Sequence, residues 1–264
     1  MAKRAPKKRS LRILCSNDDG IHAPGLKALE TIAHALSDDV WVVAPETEQS
    51  GASHSLTLHA PLRLRDAGKN KWAVQGTPTD CVMMAIRHVM ADNPPDLVLS
   101  GVNRGANMAD DVTYSGTIAA AMEGTVLGVP SIALSQAYGF GSPGAHPKWS
   151  CAETHGPRII RDLLAEGWPP GVLMNVNFPD ALPKAIKGVE VTRQGRRDQQ
   201  LALIEPRDDL RGGKYYWIGF RRVLSNPAPG TDLHAIYNGR ISITPLHLDL
   251  TEAGVMDRLK RRSW

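Results

Sequence analysis

Cysteine is scarce in this chain: three among 264 residues. Cys15, Cys81 and Cys151 are scattered and form no C-x-x-C, so neither a disulfide framework nor a thiolate zinc site is expected, and a reducing cytosol suits them. Long apolar runs are also missing. The lowest-charge region, Val112 to Leu134, is interrupted by Glu123 and Pro130 and is not expected to span a bilayer. Only a short apolar stretch separates the basic start from Asp18, so no signal-peptide core is expected. No internal repeat is present, and the first apolar run opens into no G-x-G-x-x-G. These absences point to a soluble, cytoplasmic protein with no membrane partner.

What is present is globular: 42% hydrophobic and 22% charged residues, enough for one large α/β domain or two small ones. The net charge of +4 is carried by the ends. Lys3, Arg4, Lys7, Lys8 and Arg9 precede the first strand, and Arg258, Lys260, Arg261 and Arg262 close the chain. Of the 31 basic residues those nine stand apart, leaving 22 against 27 acidic ones, so the body is mildly acidic at −5. Short basic ends are usually solvated, and nucleic acid is not expected as a partner.

The chain is organised around LRILCSNDDGIHAPG, from Leu11 to Gly25. An apolar run passes into Ser16-Asn17 and then into two adjacent carboxylates, Asp18 and Asp19. This pattern reads as a buried strand opening into a charged loop at its C-terminal end. Pro24-Gly25 starts an amphipathic helix with Leu26, Leu29, Ile32, Ala33 and Leu36 on one face. Val40 to Ala44 (VWVVA) is a second buried strand, ending at Pro45 in the polar loop ETEQSGASHS. Leu56 to Val74 alternates and turns at Gly68-Lys69-Asn70 as a hairpin. Thr77-Pro78-Thr79-Asp80 is a helix start, and that helix is expected to run to about Met90. Asp96 to Ser100 is a strand followed by GVNRGANMADDVTYSGT. Ala119 to Leu127 is a helix started by Ser115-Gly116-Thr117, and Ser131 to Ser135 a strand. Alternating β and α with short connections predicts a Rossmann-like, doubly wound, mostly parallel sheet.

Beyond that, 138–149 reads as loop, Glu153 to Glu166 as helix and Val172 to Phe178 as strand. Val189 to Asn238 alternates apolar and charged residues and reads as one or more long hairpins, with Tyr215, Tyr216 and Trp217 on one arm. Such a projecting aromatic arm suits a subunit interface. Ile241 to Leu246 returns as a strand, and Glu252 to Arg262 is a terminal helix. The expected organisation is an α/β core over 11–192, an extended hairpin for oligomerisation over 193–240, and a returning strand and helix over 241–264.

Three loops converge on one sheet edge, carrying Asp18-Asp19, Ser50-Gly51 and Asn103. Their ligand atoms are all oxygens, which suits a hard divalent cation such as Mg²⁺ or Mn²⁺. Two adjacent carboxylates repel unless a cation sits between them. Ser115-Gly116-Thr117, at a helix N-terminus, is a candidate phosphate site. A cation held by acids beside such a helix end describes a metal-dependent phosphoester hydrolase. Each feature has a plainer reading: solvated loop acids, an ordinary turn, loop glycines, an N-cap serine. His22, His54 and His59 could assist proton transfer, although loop histidines are usually solvated. It is the conjunction on one sheet edge that favours a site.

The motifs ILCSNDDGIHAPG, VVAPETEQSGASHSLT, GTPTDCV, SGVNRGANMADDVTYSGTIAAAMEG and TDLHAIYNGRISITPL occur in an order that resembles the SurE family of survival-protein nucleotidases, from Arg12 to Leu246. The resemblance implies a 5′-nucleotidase releasing phosphate from nucleoside monophosphates, with 3′-nucleotides and short polyphosphate as further substrates. It places a divalent metal on Asp18, Asp19, Ser50 and Asn103. It places Asn17, Ser115, Gly116 and Thr117 near the scissile phosphate. It also implies a homodimer or homotetramer built through the hairpin and C-terminal segment. The basic stretch before Arg12 departs from the family pattern, and 142–149 is hard to align with it.

For the chemistry, a metal-activated water attacking phosphorus with Asp18 or Asp19 as base is expected. An aspartyl-phosphate route usually spaces its two aspartates two apart, which the adjacent pair does not match. Two other classes fit worse. A receiver module needs a phosphoacceptor Asp after its third strand, where this chain has Ser-Gly-Val-Asn. A dinucleotide-binding oxidoreductase would set pyrophosphate against the Asp18-Asp19 carboxylates, which is electrostatically wrong.

Overall fold

The computed structural model describes residues 10–139, 146–197, 202–220 and 226–264. In chain order the first elements are β1 (Arg12–Ser16), α1 (Pro24–His34), β2 (Asp39–Pro45), β3 (Arg63–Gly68), β4 (Lys71–Gln75), α2 (Pro78–Met84) and β5 (Leu97–Arg104). They are followed by α3 (Gly116–Val126), β6 (Ser131–Gln136), α4 (Trp149–Glu166), β7 (Val172–Phe178) and β8 (Val189–Val191). The last are β9 (Ala202–Asp208), β10 (Lys214–Phe220), α5 (Asp232–Tyr237), β11 (Ile241–His247) and α6 (Ala253–Lys260).

Ile13, Leu14 and Cys15 of β1 have no exposed surface, so this strand must be covered on both faces. Side chains alternate across a strand. Ile13 and Cys15 join a cluster with Leu26, Leu29 and Ile32 of α1 and Ile159 and Ile160 of α4. Leu14 joins Cys81 and Val82 of α2 and Ala120 of α3 in a second cluster. Two helical layers therefore sandwich the sheet.

The sheet has nine strands in the order β3-β4-β2-β1-β5-β6-β7-β11-β8. Strands β4, β2, β1, β5, β6 and β7 pair in parallel. Numbered among themselves, these six follow the 3-2-1-4-5-6 order of a doubly wound fold, whose direction reverses between the first and fourth strands. Here the reversal falls between β1 and β5, so the loop carrying Asp18-Asp19 and the end of β5 carrying Asn103 lie side by side. Antiparallel β3 and β11 flank the parallel core.

Several elements depart from the sequence expectation. The helix after Thr77 ends as α at Met84 and continues as one π-helical turn over Ala85–Val89. The hairpin expected from Leu56 begins only at Arg63, because the preceding segment is tied down otherwise. Thr57 N–H and Oγ1 donate to the Asp80 carboxylate, 3.1 and 2.6 Å away. β5 runs past Ser100 to Arg104, with a register shift against β6 between Ser100 and Asn103. Such an irregularity re-aims side chains at a strand end.

Within the expected hairpin region 193–240, the described residues pair antiparallel as β9 and β10, from Lys214–Asp208 to Phe220–Ala202. The TDLHAIY stretch is instead the helix α5, capped by Thr231 and packed through Leu233 and Ile236 onto Met108 and Ala109. Strand β8 pairs parallel with β11 and extends the main sheet. The loop expected over 138–149 falls at 140–145 outside the described residues, as do 1–9, 198–201 and 221–225. Among the described residues no helix is long and apolar enough to cross a membrane.

Candidate functional site

Asp18 lies just beyond β1 and is 4% exposed. Its Oδ1 accepts a hydrogen bond from Thr117 Oγ1 at 2.5 Å. Thr117 sits in the first turn of α3, where Ser115 caps the helix by accepting from Ile118 N–H at 3.1 Å. Between them, Gly116 has no room for a side chain. A Cβ there would stand 2.8 Å from Asp18 Cβ and 3.0 Å from Asp18 Oδ2. The first turn of α3 is therefore pressed against the Asp18 carboxylate, which a helix N-terminus favours in its charged form.

Burial opposes that charge more strongly. It pushes the Asp18 carboxyl up to about 6, with the Thr117 hydrogen bond drawing it down and the neighbouring Asp19 charge adding to the rise. Asp19 is less buried and is also raised by desolvation, partly offset by the Arg104 N–H that donates to its Oδ2 at 3.2 Å. Among the described residues no Lys, Arg or His forms an ion pair with either carboxylate. Two partly desolvated acids without a cationic side chain are a donor set that a divalent cation satisfies.

The remaining oxygens are neutral. No three His, Cys, Asp or Glu converge among the described residues, so a cation here must draw its other ligands from Ser, Asn, backbone or water. Asn103 Nδ2 donates to Gly105 O at 2.9 Å, which leaves its carbonyl end for a cation. Ser50 is exposed and its hydroxyl donates to Glu48 Oε1 at 2.9 Å; the contact to Asp18 is made by the adjacent Gln49 N–H, 2.8 Å from the Asp18 carbonyl. Thus Ser50 and Asn103 are each one residue from a hydrogen bond to the Asp18-Asp19 pair, and neither side chain hydrogen-bonds to the carboxylates.

Asn17 is 1% exposed and its Nδ2 donates to Gly20 O at 3.0 Å, while its Oδ1 is buried with no partner. An orphaned buried acceptor beside two acids calls for a donor or a cation's water, not for a phosphate oxygen. Thr117 donates its hydroxyl proton to Asp18, whereas Ser115 Oγ only accepts from Ile118 N–H and keeps its own O–H to donate. In this segment the groups left for an anion are the Ser115 O–H and backbone N–H groups of the first turn.

His54 Nε2 lies 3.0 Å from Glu123 Oε2 on α3, bracing the Ser50 loop, while His22 and His59 are exposed. Two charged residues near the pair were not singled out from sequence: Glu48, whose charge raises Asp19, and Arg104, whose charge lowers it. Nor was Asp232, fully buried at the start of α5. It accepts from Ala109, Gly195 and Leu233 N–H groups at 2.7–2.9 Å and so locks the loop after β5. The Thr231-Asp232 pair before an apolar turn was the available signal, a short capped helix inside an alternating stretch.

Fold and site together define a doubly wound α/β protein with an oxygen-rich acidic centre at its topological switch point. A family model described as "Survival protein SurE" matches residues 13–201. The 5′-nucleotidase SurE of Parvibaculum lavamentivorans is 66% identical over 251 residues, covering 95% of this chain and 90% of that protein. That of Azorhizobium caulinodans is 62% identical, covering 94% and 97%. The crystal structure of the SurE protein from Aquifex aeolicus superposes with a TM-score of 0.81 at 40% identity, covering 94% of this chain and 98% of that one. The chain belongs to the SurE family.

Proposed function

We propose that this chain is a 5′-nucleotidase, a divalent-cation-dependent phosphomonoesterase acting on nucleoside 5′-monophosphates, with 3′-monophosphates and short polyphosphate as secondary substrates. The observation that carries the reading is the Asp18 carboxylate, buried beside Asp19 at the switch point with no cationic side chain among the described residues paired to it. High identity to proteins named 5′-nucleotidase supports the substrate class. Asp18, Asp19, Ser50 and Asn103 would hold the cation, Mg²⁺ or Mn²⁺, which when bound polarises the phosphoryl oxygens and lowers the pKa of an attacking water.

The chain's own groups do the rest. Thr117 fixes Asp18 in one rotamer through Oδ1, which sets where its second oxygen points. Asp19, the more accessible carboxylate, takes the proton of the attacking water as general base. Backbone N–H groups at the start of α3 face the phosphate, with Asn17 holding the loop between Asp18 and Gly20 in place. The core over 11–192 carries this chemistry. The β9–β10 hairpin, with Tyr216, Trp217 and Ile218 exposed, joins copies into a homodimer or homotetramer in the cytoplasm.

Phosphate release from a panel of nucleoside monophosphates, with and without chelator, tests the proposal. Turnover that chelator abolishes and added Mg²⁺ or Mn²⁺ restores is expected. Absence of turnover on every monophosphate, with cation present, contradicts it.

A further inference from the structure

We propose that Arg104, held over the ring of Tyr138, is a substrate-binding residue that takes the outer oxygens of the phosphate seated against the Asp18-Asp19 pair. The inference rests on the phosphomonoesterase reading above and assigns that site its cationic contact.

Arg104 is the last residue of β5, beyond the register shift against β6, and its backbone N–H already donates to Asp19 Oδ2. Its side chain is exposed, and its guanidinium carbon lies 5.3 Å from the Tyr138 ring centroid. Stacking of this kind fixes a guanidinium by its face and leaves its N–H edge open to an anion. Among the described residues that edge has neither a hydrogen bond nor an ion pair. The contrast with other arginines is instructive. Arg12 Nε is bound to Asp39 at 2.8 Å, and Arg197 grips Asp111 through two nitrogens. Had Arg104 evolved only to neutralise Asp19, a direct ion pair of the same kind would be the simple outcome. Its charge is instead felt by Asp19 without contact.

Charge balance gives the vacant guanidinium edge a use. Two carboxylates and one divalent cation are neutral together, whereas a phosphate monoester brings about −1.5 to −2 at pH 7. The start of α3 is already directed at Asp18 through Thr117, so it only partly answers that charge. Arg104 supplies a full positive charge on the strand end that also carries Asn103. A guanidinium fork matches two phosphate oxygens at once, as an ammonium does not. Tyr138 acts as a positioning residue, through its ring face.

The test is the binding of inorganic phosphate to the cation-loaded protein by calorimetry, alongside kcat and KM for a nucleoside monophosphate, in wild type, Arg104→Ala, Arg104→Lys, Tyr138→Phe and Tyr138→Leu. Arg104→Ala is expected to weaken phosphate binding and raise KM by about tenfold with kcat little changed. Arg104→Lys should recover part of that, Tyr138→Phe, which keeps the ring face, should raise KM less than Tyr138→Leu, and Tyr138→Leu should raise KM by a smaller factor than Arg104→Ala. Phosphate binding and KM unchanged in folded Arg104→Ala would overturn the assignment. If wild type binds phosphate but turns over no monophosphate, the nucleotidase reading fails by itself, and calorimetry still decides the role of Arg104.

Discussion

Asp18 carries opposed demands that become measurable when the cation is removed. Its folded pKa of about 6 exceeds the ordinary 3.8, so the folded state binds a proton more tightly than the unfolded one. The sign follows: the stability this group contributes is full below about pH 4 and is lost as pH rises through about 6. At 1.36 kcal/mol per unit the loss is on the order of 3 kcal/mol. Denaturant unfolding in chelator should therefore show Asp18→Asn more stable than wild type at pH 7.5, with the gap closing near pH 4, and added Mg²⁺ or Mn²⁺ should narrow it at pH 7.5. Thr117→Val removes the hydroxyl that holds Oδ1 and should lower kcat/KM by about 10- to 100-fold while the protein stays folded. Gly116→Ala puts a methyl 2.8 Å from Asp18 Cβ; it should depress turnover more than it depresses the unfolding midpoint. At this scale the sequence announced the acids and the helix start, because charge pairs and caps are local patterns. It did not reveal that Thr117 serves Asp18 and that Arg104 approaches Asp19. Those contacts join residues 99 and 85 positions apart and depend on strand order.

At the scale of elements, the site is a product of where strands end. β1 and β5 are register partners from Ile13–Leu97 to Ser16–Ser100, so their loops leave together, as the βαβ alternation in the sequence implied. Buried strands and capped helices were legible because their periodicities are strong over several residues; α4 began four residues earlier than expected and α2 passed into a π turn, since ends depend on tertiary contacts. The six-residue α5 was hidden in an alternating stretch, because so short a helix gains its stability from packing and not from periodicity. Its Asp232 uses Oδ2 for Ala109 and Oδ1 for Gly195 and Leu233. Asp232→Asn keeps only one acceptor oxygen and leaves a buried N–H unmet, a cost of about 1–3 kcal/mol. A lowered unfolding midpoint together with weaker cation binding is expected, since the loop it locks leads from Asn103.

For the whole molecule, the 3-2-1-4-5-6 core sets the site at the switch point, and β9 and β10 form a separate two-stranded sheet. The doubly wound fold was readable from composition and alternation alone, as was β11 from the apolar run Ile241 to Leu246; β8 was not, because a three-residue strand leaves little pattern. Ile204, Tyr216, Trp217 and Ile218 are 59–74% exposed on β9 and β10, more apolar surface than an isolated two-stranded ribbon keeps in water without a partner. Light scattering on the wild type should give a dimer or tetramer, and charged substitutions at Trp217 and Ile218 should reduce the mass towards a single chain.

The claim on which the rest depends is that Asp18 and Asp19 hold a divalent cation for phosphate release. The most direct measurement is a Mn²⁺ titration of chelator-stripped protein, following phosphate release from a nucleoside monophosphate in wild type and Asp18→Asn. Saturable, cation-restored turnover in wild type, reduced at least about a hundredfold in folded Asp18→Asn, is the predicted result. Turnover that persists in chelator, or is equal in the two proteins, would contradict it.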